Sequence, residues 1–261
     1  MKKIFMSMLL MLLFALFMTG CGNDSSKKIV VGLDDQFPPM GFRNEQGNLV
    51  GFDVDLAKEA AKRMNVDIEF KPIDWDKKRE ELTGGNIDVI WNGLDITEER
   101  KEYMIFTKPY MQDRQILLVK HDDDQQIHSE GDLEGKVVGM QSGSTAENYF
   151  NNNKDLKSNL AGVKLYEKLD SGLDALKGGE VDVFICDEMI ARYEVKTNPD
   201  RFDIVDVTTG FLTEMAVGFR KDDTELRDRV QEVFDDMVED GTAKKISEQW
   251  FQADLIKYVH K

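Results

Sequence analysis

The sequence predicts an α/β fold built from two similar halves, on three observations. Its 261 residues are 41% hydrophobic and 32% charged, ordinary for a soluble globular protein and enough for one large or two modest domains. From Lys28 onward, short β-branched runs alternate with segments of helical period, a pattern typical of βαβ units around a largely parallel sheet. The segment GGNIDVI at 84–90 is matched by GGEVDVF at 178–184, in each case a glycine pair before a strand. Chance recurrence of such a pair is the alternative explanation.

The first 20 residues have the composition of a secretory leader. Two lysines precede an apolar run of 15 residues, 4–18, and small residues then lead to Cys21. The run is shorter than the roughly 20 residues that cross a bilayer as a helix. The stretch MTGC at 18–21 resembles the lipobox of bacterial lipoproteins. We therefore expect a lipoprotein signal peptide at 1–20, a lipid on Cys21 and a flexible tether at 21–28; a plain secretory signal with an unmodified cysteine is the alternative.

The first half alternates strands and helices. Its strands are rich in Val and Ile, and its first long helix repeats apolar residues at i, i+3, i+4 and i+7. A loop containing Phe37 separates the first strand from that helix. The predicted elements are a strand at 29–33, a helix at 53–64, a strand at 66–70, a short polar helix at 76–82, a strand at 87–91 and a helix from 97 to about 103.

The second half repeats this design and is followed by two further helices. Its predicted elements are strands at 136–140, 163–166, 181–185 and 215–219, and helices at 145–151, 171–176 and 188–195. A helix from 224 to about 239 has one apolar face, and a short helix after it carries Ile246, Trp250 and Phe251. We interpret these two as capping helices on the first half. Cys186 is the second of only two cysteines and is interpreted as a buried small hydrophobe.

The candidate functional residues follow the predicted strands. Open α/β sheets bind ligands beyond the carboxyl ends of their strands. Arg100 draws attention because a cation in the first turn of a helix faces the positive end of the helix dipole. The candidates are Asp34, Phe37, Trp75, Asn92, Gly93, Asp95, Arg100, Ser144, Thr145 and Asp187. The alternatives are purely structural: helix caps for Asp187, Ser144 and Thr145, core packing for Phe37 and Trp75, a turn for Asp34, and a solvated charge for Arg100.

These groups are complementary to a zwitterion. A guanidinium binds a carboxylate with two parallel hydrogen bonds, and Arg100 supplies one. Ser144 and Thr145, at a helix N-terminus, can hold the same carboxylate. Asp187 is the partner for an ammonium, and aromatic rings such as Phe37 can line the aliphatic part of a ligand.

Two motifs carry a resemblance to a known family. GFDVDLAKEAA at 51–61 and WNGLDITEERKEYMIFTKPY at 91–110 resemble the signatures of the bacterial polar amino-acid solute-binding proteins of ABC importers, and the similarity extends over 29–251. The resemblance implies the type II periplasmic-binding-protein fold, with two α/β lobes joined by two hinge strands and closing on a ligand. It implies lobe 1 at 29–112 and 213–261, lobe 2 at 113–212, and hinge crossings near 113–115 and 212–214.

The resemblance also implies roles and partners. Arg100 matches the arginine that clamps the ligand carboxylate, Ser144 and Thr145 match donors from the second lobe, and Asp187 matches the acid that takes the α-ammonium. It implies a free amino acid as ligand, an ABC permease and ATPase as partners, a membrane anchor through the N-terminal lipid, a monomer, and neither cofactor nor metal. The remaining implied positions are Phe37 and Trp75 as aromatic walls and Asp34 near the ligand's side-chain end.

The departures from the family pattern bear on ligand identity. Asp95 stands where glutamine and lysine-arginine-ornithine binders carry Thr or Ser, and Cys186 stands where they carry His or Gln. Asp34, Asp95 and Asp187 outnumber Arg100, and this surplus of negative charge favours a cationic ligand, because a buried carboxylate is costly without a partner. Glutamine, whose amide can donate a hydrogen bond to Asp34, and cystine are the alternative ligands.

Other classes of function have less support from the sequence. A formal charge of −16 disfavours nucleic-acid binding. A dehydratase-like enzyme on the same fold and a ligand-gated sensor are the rival interpretations. However, His121, His128 and His260 form no HExxH zinc motif, and the serine of GMQSG is misplaced for a nucleophile elbow.

Overall fold

The computed structural model describes residues 28–123 and 126–256, which form two lobes. The predicted leader, Cys21, most of the tether and His260 lie outside these ranges. The strands are β1 Lys28–Leu33, β2 Gln36–Phe37, β3 Gly41–Arg43, β4 Leu49–Val50, β5 Asp67–Pro72, β6 Val89–Ile90, β7 Met104–Phe106, β8 Met111–Lys120, β9 Val137–Gln141, β10 Gly162–Tyr166, β11 Val183–Asp187, β12 Phe202–Met215 and β13 Gly218–Arg220.

Most helices lie where the apolar periodicity predicts them. The helix predicted at 224 to about 239 is observed as Thr224–Glu239. The α-helices are α1 Phe52–Met64, α2 Lys78–Thr83, α3 Glu98–Lys101, α4 Thr145–Asn152, α5 Lys154–Asn159, α6 Leu169–Gly178, α7 Glu188–Thr197, α8 Thr224–Glu239 and α9 Thr242–Phe251. Short 3-10 helices cover Trp75–Lys77 and Glu130–Leu133.

Each lobe is built on a five-stranded sheet. The first sheet has the order β5-β1-β6-β13-β7, and the second has the order β10-β9-β11-β8-β12. The sheets are mixed rather than purely parallel. In each sheet four of the five strands run in one direction, in line with the expectation of largely parallel sheets, and β13 in the first sheet and β8 in the second run against their neighbours. β8 and β13 are the strands that the chain forms on arriving from the other lobe, a long-range feature that local periodicity does not encode.

Two long strands connect the lobes. β8 and β12 pair in antiparallel fashion, with Asp113 opposite Thr213 and Met111 opposite Met215. Their ends lead into β7 and β13 of the first sheet, so the chain crosses between the lobes twice. The predicted boundaries at 112/113 and 212/213 fall inside these two strands. The segment predicted as a single strand at 215–219 is the end of β12 followed by the separate strand β13.

The two glycine pairs occupy equivalent positions in the two lobes. Gly84 follows α2, and Gly178 is the last residue of α6. Directly before the strand that follows, Asp88 accepts a hydrogen bond from Val30 N at 3.0 Å, and Asp182 accepts one from Val137 N at 2.7 Å. Since each aspartate ties its strand to the neighbouring parallel strand, the two halves repeat contacts as well as sequence.

The C-terminal helices pack on the first lobe, as predicted. Phe234 of α8 contacts Trp91 and Tyr110, and Phe251 of α9 stacks edge-on against Phe52 of α1. The loop predicted around Phe37 contains instead the small sheet β2-β3-β4. None of the helices in the described part of the chain combines the length and apolar composition of a membrane span.

Candidate functional site

The lobes meet at the carboxyl ends of their parallel strands, and a small cavity lies between them. Its volume is about 20 Å³, close to the space that one water molecule needs. The lobes are therefore closed on each other, and a larger molecule can enter only if they separate. The cavity is lined by Phe37, Trp75, Gly93, Asp95, Arg100, Gln115, Gln141, Ser144, Thr145, Leu169, Ile185, Cys186 and Asp187. Eight of the ten candidates from the sequence are in this lining; Asp34 and Asn92 lie behind it.

Arg100 is buried in the cleft, with 3% of its surface exposed. Its Nη1 donates to the carbonyl of Asp95 at 2.8 Å, and its Nη2 donates across the cleft to the carbonyl of Gly143 at 3.3 Å. The expectation that Arg100 is unfavourably placed in a helix dipole is wrong. The helix α3 is a single turn, so Arg100 is as close to its C-terminal end as to its N-terminal end. Thr97 caps this turn by accepting from Arg100 N. Arg100 is thus a fixed buried cation rather than a solvated charge.

Asp95 connects the two lobes through threonine hydroxyls. Its Oδ2 accepts from Thr145 Oγ1 at 2.6 Å, and its Oδ1 accepts from Thr213 Oγ1 at 2.8 Å. Burial raises the pKa of Asp95, against the opposing effect of Arg100. Asp95 is therefore part of the closed interface itself.

Asp187 lies in the second lobe, at the end of β11, and faces the lobe that carries Arg100. It precedes α7, yet its carboxylate makes no capping hydrogen bond in the described structure; instead Oδ1 accepts from Gln115 Nε2. Burial, and next the charge of Asp95, raise the pKa of Asp187 to about 7. Asp113 completes the group: burial and the charges of Asp187 and Asp95 raise its pKa well above the usual range. Its Oδ1 has no hydrogen-bond partner among the described residues.

Three carboxylates, two of them buried and that of Asp187 partly buried, thus form one cluster. One oxygen each of Asp95, Asp113 and Asp187 lie within 4.8 Å of one another. Such a group has the oxygen chemistry of a cation site. It is equally suited to an ammonium group, whose N–H donors match carboxylate acceptors.

Asp34 marks the other end of the cleft. Its Oδ2 accepts from Gln141 Nε2 of the second lobe at 2.7 Å, and its Oδ1 accepts from Gln36 N at 2.9 Å. Asn92 supports it from behind by accepting from Asp34 N at 3.0 Å. Burial raises the pKa of Asp34. Asp34 is therefore a turn residue through its Oδ1, and its Oδ2 also reaches the opposite lobe.

Phe37 and Trp75 are buried and face the cavity, so each is both a core residue and a wall. Between them, Gly93 has φ +55, and a Cβ at this position would lie 3.0 Å from Phe37 Cε1. Its N–H donates to Asp53 Oδ2 at 2.6 Å, and Asp53 also accepts from Tyr110 Oη at 2.9 Å. Asp53, the first of the two acids of the GFDVD motif, thus fixes the loop that carries Asp95.

The second-lobe hydroxyls divide between two roles. Ser144 is the N-cap of α4 and accepts from Glu147 N at 3.1 Å, so its hydroxyl does the capping that the structural alternative predicts. Thr145 is the first residue of α4 and uses its hydroxyl on Asp95. Both face the cavity at a helix N-terminus, where partial positive charge favours an anion.

Sequence reasoning missed several residues of the cleft. Gln141 is the last residue of β9, so the rule of carboxyl ends could have found it. Gln115 and Asp113 lie inside β8, where no local signal sets them apart. Lys78, assigned to a short polar helix, is a buried lysine at the interface between the lobes.

Comparisons with known proteins agree with this architecture. Residues 29–253 match the bacterial extracellular solute-binding proteins, family 3. The chain is 32% identical to the L-cystine-binding protein TcyJ of Escherichia coli strain K12, over 88% of this chain and 84% of that protein. It is similar to the structure of an ABC uptake transporter substrate-binding protein from Streptococcus pneumoniae with bound histidine, with a TM-score of 0.84, 33% identity, and coverage of 88% and 95%. An ancestral arginine-binding protein bound to arginine gives a TM-score of 0.81, 39% identity, and coverage of 87% and 99%.

The chain therefore belongs to the bacterial extracellular solute-binding proteins, family 3. Its fold is the type II periplasmic-binding-protein architecture implied by the two motifs.

Proposed function

We propose that this protein captures a free polar L-amino acid outside the cytoplasm and delivers it to the permease and ATPase of an ABC importer. The observation that carries the proposal is the pairing of a buried guanidinium, Arg100, with a partly buried carboxylate, Asp187, on facing walls of one cavity. The α-carboxylate of the ligand binds to Arg100, Ser144 and Thr145, and its α-ammonium binds to Asp187. The 20 Å³ cavity implies that the lobes open to admit the ligand and close around it.

The charges of the cleft support a cationic side chain on the ligand. Asp34, Asp95 and Asp113 are buried acids and Asp187 is partly buried, whereas Arg100 and Lys78 are the buried cations among the described residues. Burial raises the pKa of all four acids, which means that each would gain from a positive partner. A positively charged ligand side chain would supply such a partner to Asp34. The relatives that bind arginine and histidine are consistent with this choice.

Two neutral ligands remain as alternatives. Asp34 already accepts from the amide of Gln141, so a ligand amide could replace that donor, as glutamine would. Cystine is the ligand named for the Escherichia coli relative. A second amino-acid moiety of cystine would place its ammonium near Asp34.

A panel of free amino acids tests both the function and the ligand class. A ligand at 100 times its dissociation constant stabilises the folded protein by about 2.7 kcal/mol. We expect arginine, lysine, ornithine or histidine to raise the unfolding temperature most, with aspartate and glutamate giving no shift. A shift with glutamine or cystine alone would contradict the cationic assignment, and no shift with any amino acid would contradict the proposed function.

We propose that the protein has no enzymatic activity of its own. His121 accompanies Asp203 at the surface, and His128 lies on an exposed loop, so neither reaches the cavity. The cleft residues are arranged to hold charges, and Cys186, whose pKa burial raises well above the usual range, is a poor nucleophile. Incubation with amino and keto acids should leave them unchanged by mass spectrometry, whereas dehydration of a substrate would favour the dehydratase alternative.

We propose that the protein is a monomer anchored to the outer face of the cell membrane by lipid on Cys21. The support is the lipobox-like MTGC stretch at 18–21. We expect the N-terminal peptide of membrane-extracted protein to begin at Cys21 with a diacylglyceryl mass, and a Cys21→Ser variant to be released in soluble form. Detection of an unmodified Cys21 would leave the plain secretory signal as the interpretation.

A further inference from the structure

Lys78 links the two lobes at a point outside the cavity. Its side chain is buried, with 5% of the residue exposed. Nζ donates to the carbonyl of Trp75 in its own lobe at 3.0 Å and to the carbonyl of Gly143 in the opposite lobe at 2.7 Å. Lys78 does not line the cavity; it lines a separate depression with Arg79, Tyr103 and Glu147. Its donors are thus directed at backbone carbonyls rather than at the space for a ligand.

The close approach of the two lobes requires a glycine at position 143. It has φ +70, and a Cβ there would lie 2.8 Å from Lys78 Nζ and 2.9 Å from Asp76 Cα. Asp76 Cα belongs to the backbone of the opposite lobe, so it cannot rotate aside as a flexible side chain could. A residue larger than glycine at 143 would therefore hold the lobes apart.

The contact suits an amine in either protonation state. Burial, and next the charge of Arg100, lower the pKa of Lys78 to about 7, against the opposing effects of Glu99, Asp76 and Glu147. A neutral amine still has two N–H donors, which match the two carbonyl acceptors. In an open cleft the same amine would be solvated, and the carbonyl of Gly143 would lose this donor and that of Arg100.

We propose that Lys78 and Gly143 form a latch that holds the closed lobes together and slows release of the captured solute without contacting it. The inference rests on the proposed function, since a latch needs lobes that close on a ligand. Lys78 and Gly143 thus increase the affinity for the ligand but do not determine which ligand is bound. Substitution at the latch should therefore accelerate release and leave the order of preference among ligands unchanged.

Two variants and two matched controls test the latch. Lys78→Met keeps an unbranched side chain one atom shorter and removes its donors. Lys77→Met is the control, since Lys77 is exposed in the neighbouring position. Gly143→Ala adds the Cβ at the interface, and Gly135→Ala is the control, since Gly135 has φ +72 in the same lobe and its Cβ would meet nothing within 4 Å. Both glycine variants carry the same backbone strain, so only the contact differs between them.

The measurement is release and binding of radiolabelled L-arginine, L-histidine and L-glutamine by the full chain, followed by rapid filtration. We expect Lys78→Met to release the bound amino acid about tenfold faster, as loss of a buried hydrogen bond implies, with little change in the association rate. We expect Gly143→Ala to release faster still, and both controls to behave as the wild type. A purely structural role would lower the unfolding temperature of Lys78→Met without changing the rate of release, whereas the latch requires the faster release.

The outcomes are distinguishable. Wild-type release rates in Lys78→Met, or equal effects of Gly143→Ala and Gly135→Ala, would overturn the latch and leave the proposed function standing. A changed order of preference would overturn it too, because Lys78 would then contact the ligand. Failure of the wild-type protein to bind any of the three amino acids in this assay and in the full panel would overturn both.

Discussion

Replacing Arg100 with alanine is expected to reduce the affinity for the amino acid by a hundredfold or more. Truncating one partner of a buried, hydrogen-bonded charge pair costs about 2 to 5 kcal/mol, because the other charge is left unpaired. Here the unpaired group would be the ligand carboxylate, in a cleft where Asp95 and Asp187 are also acids. Isothermal titration calorimetry with the best ligand of the panel measures the loss directly.

Two controls separate binding from folding in this experiment. Lys101→Ala removes a neighbouring cation that is exposed and paired with Glu98, so it should bind like the wild type. Arg100→Lys keeps the charge but loses the planar fork, and we expect an intermediate affinity. Circular dichroism of Arg100→Ala should show a folded protein. Near-wild-type affinity in Arg100→Ala would remove Arg100 from the site.

The parts of the site that the sequence predicted share one physical cause. In a parallel sheet the carboxyl ends of the strands meet at one edge, so residues that follow predicted strands come together without knowledge of the tertiary fold. Asp34 after β1, Asp95 after β6 and Asp187 at the end of β11 were found in this way. The helix periods were predictable for a similar reason, since an apolar face that must be buried shows itself within one segment.

The parts that were missed depend on contacts between distant segments. Asp113 is opposite Thr213, and Lys78 meets Gly143, so neither role is visible near its own position in the chain. The mixed sheets have the same origin, because β8 joins β11 and β12 only after the chain has crossed between lobes. Arg100 was selected for a partly wrong reason: the helix after Thr97 was expected to reach about residue 103, whereas the observed turn ends at Lys101.

The affinity is expected to fall as the pH drops below about 7, because the acid that receives the α-ammonium must be ionised. Burial and Asp95 raise the pKa of Asp187 to about 7 in the ligand-free protein, against the opposing effect of Arg100. A bound ammonium favours the carboxylate and lowers that pKa, so the complex holds fewer protons than the free protein. The affinity is therefore full above pH 7 and lost toward lower pH, by up to about tenfold per unit for one proton. Calorimetry at pH 8, 7, 6 and 5 measures this dependence.

The Asp187→Asn variant should bind at least about thirtyfold more weakly at pH 8, because a neutral amide replaces the charged partner of the ammonium. Its affinity should also change less with pH than that of the wild type, although Asp95 and Asp113 still titrate. Asp174→Asn, an exposed acid of the same lobe that pairs with Arg201, is the control and should keep the wild-type profile. An affinity that is constant from pH 8 to 5 in the wild type would contradict the assignment of Asp187.

The stability of the ligand-free protein should respond to pH in the opposite direction. The folded pKa of Asp187, about 7, lies above its usual value of 3.8, so between these values the folded state binds more protons than the unfolded chain. The contribution of Asp187 to the free energy of unfolding is thus highest at low pH and declines as the pH rises through this window. Acidification from pH 7 to 5 is expected to raise the ligand-free unfolding temperature relative to Asp187→Asn, while it weakens binding. Non-specific unfolding by acid would lower both the unfolding temperature and the affinity. A rise in the unfolding temperature together with a fall in the affinity therefore identifies a carboxylate that exchanges its proton for the ammonium of the ligand.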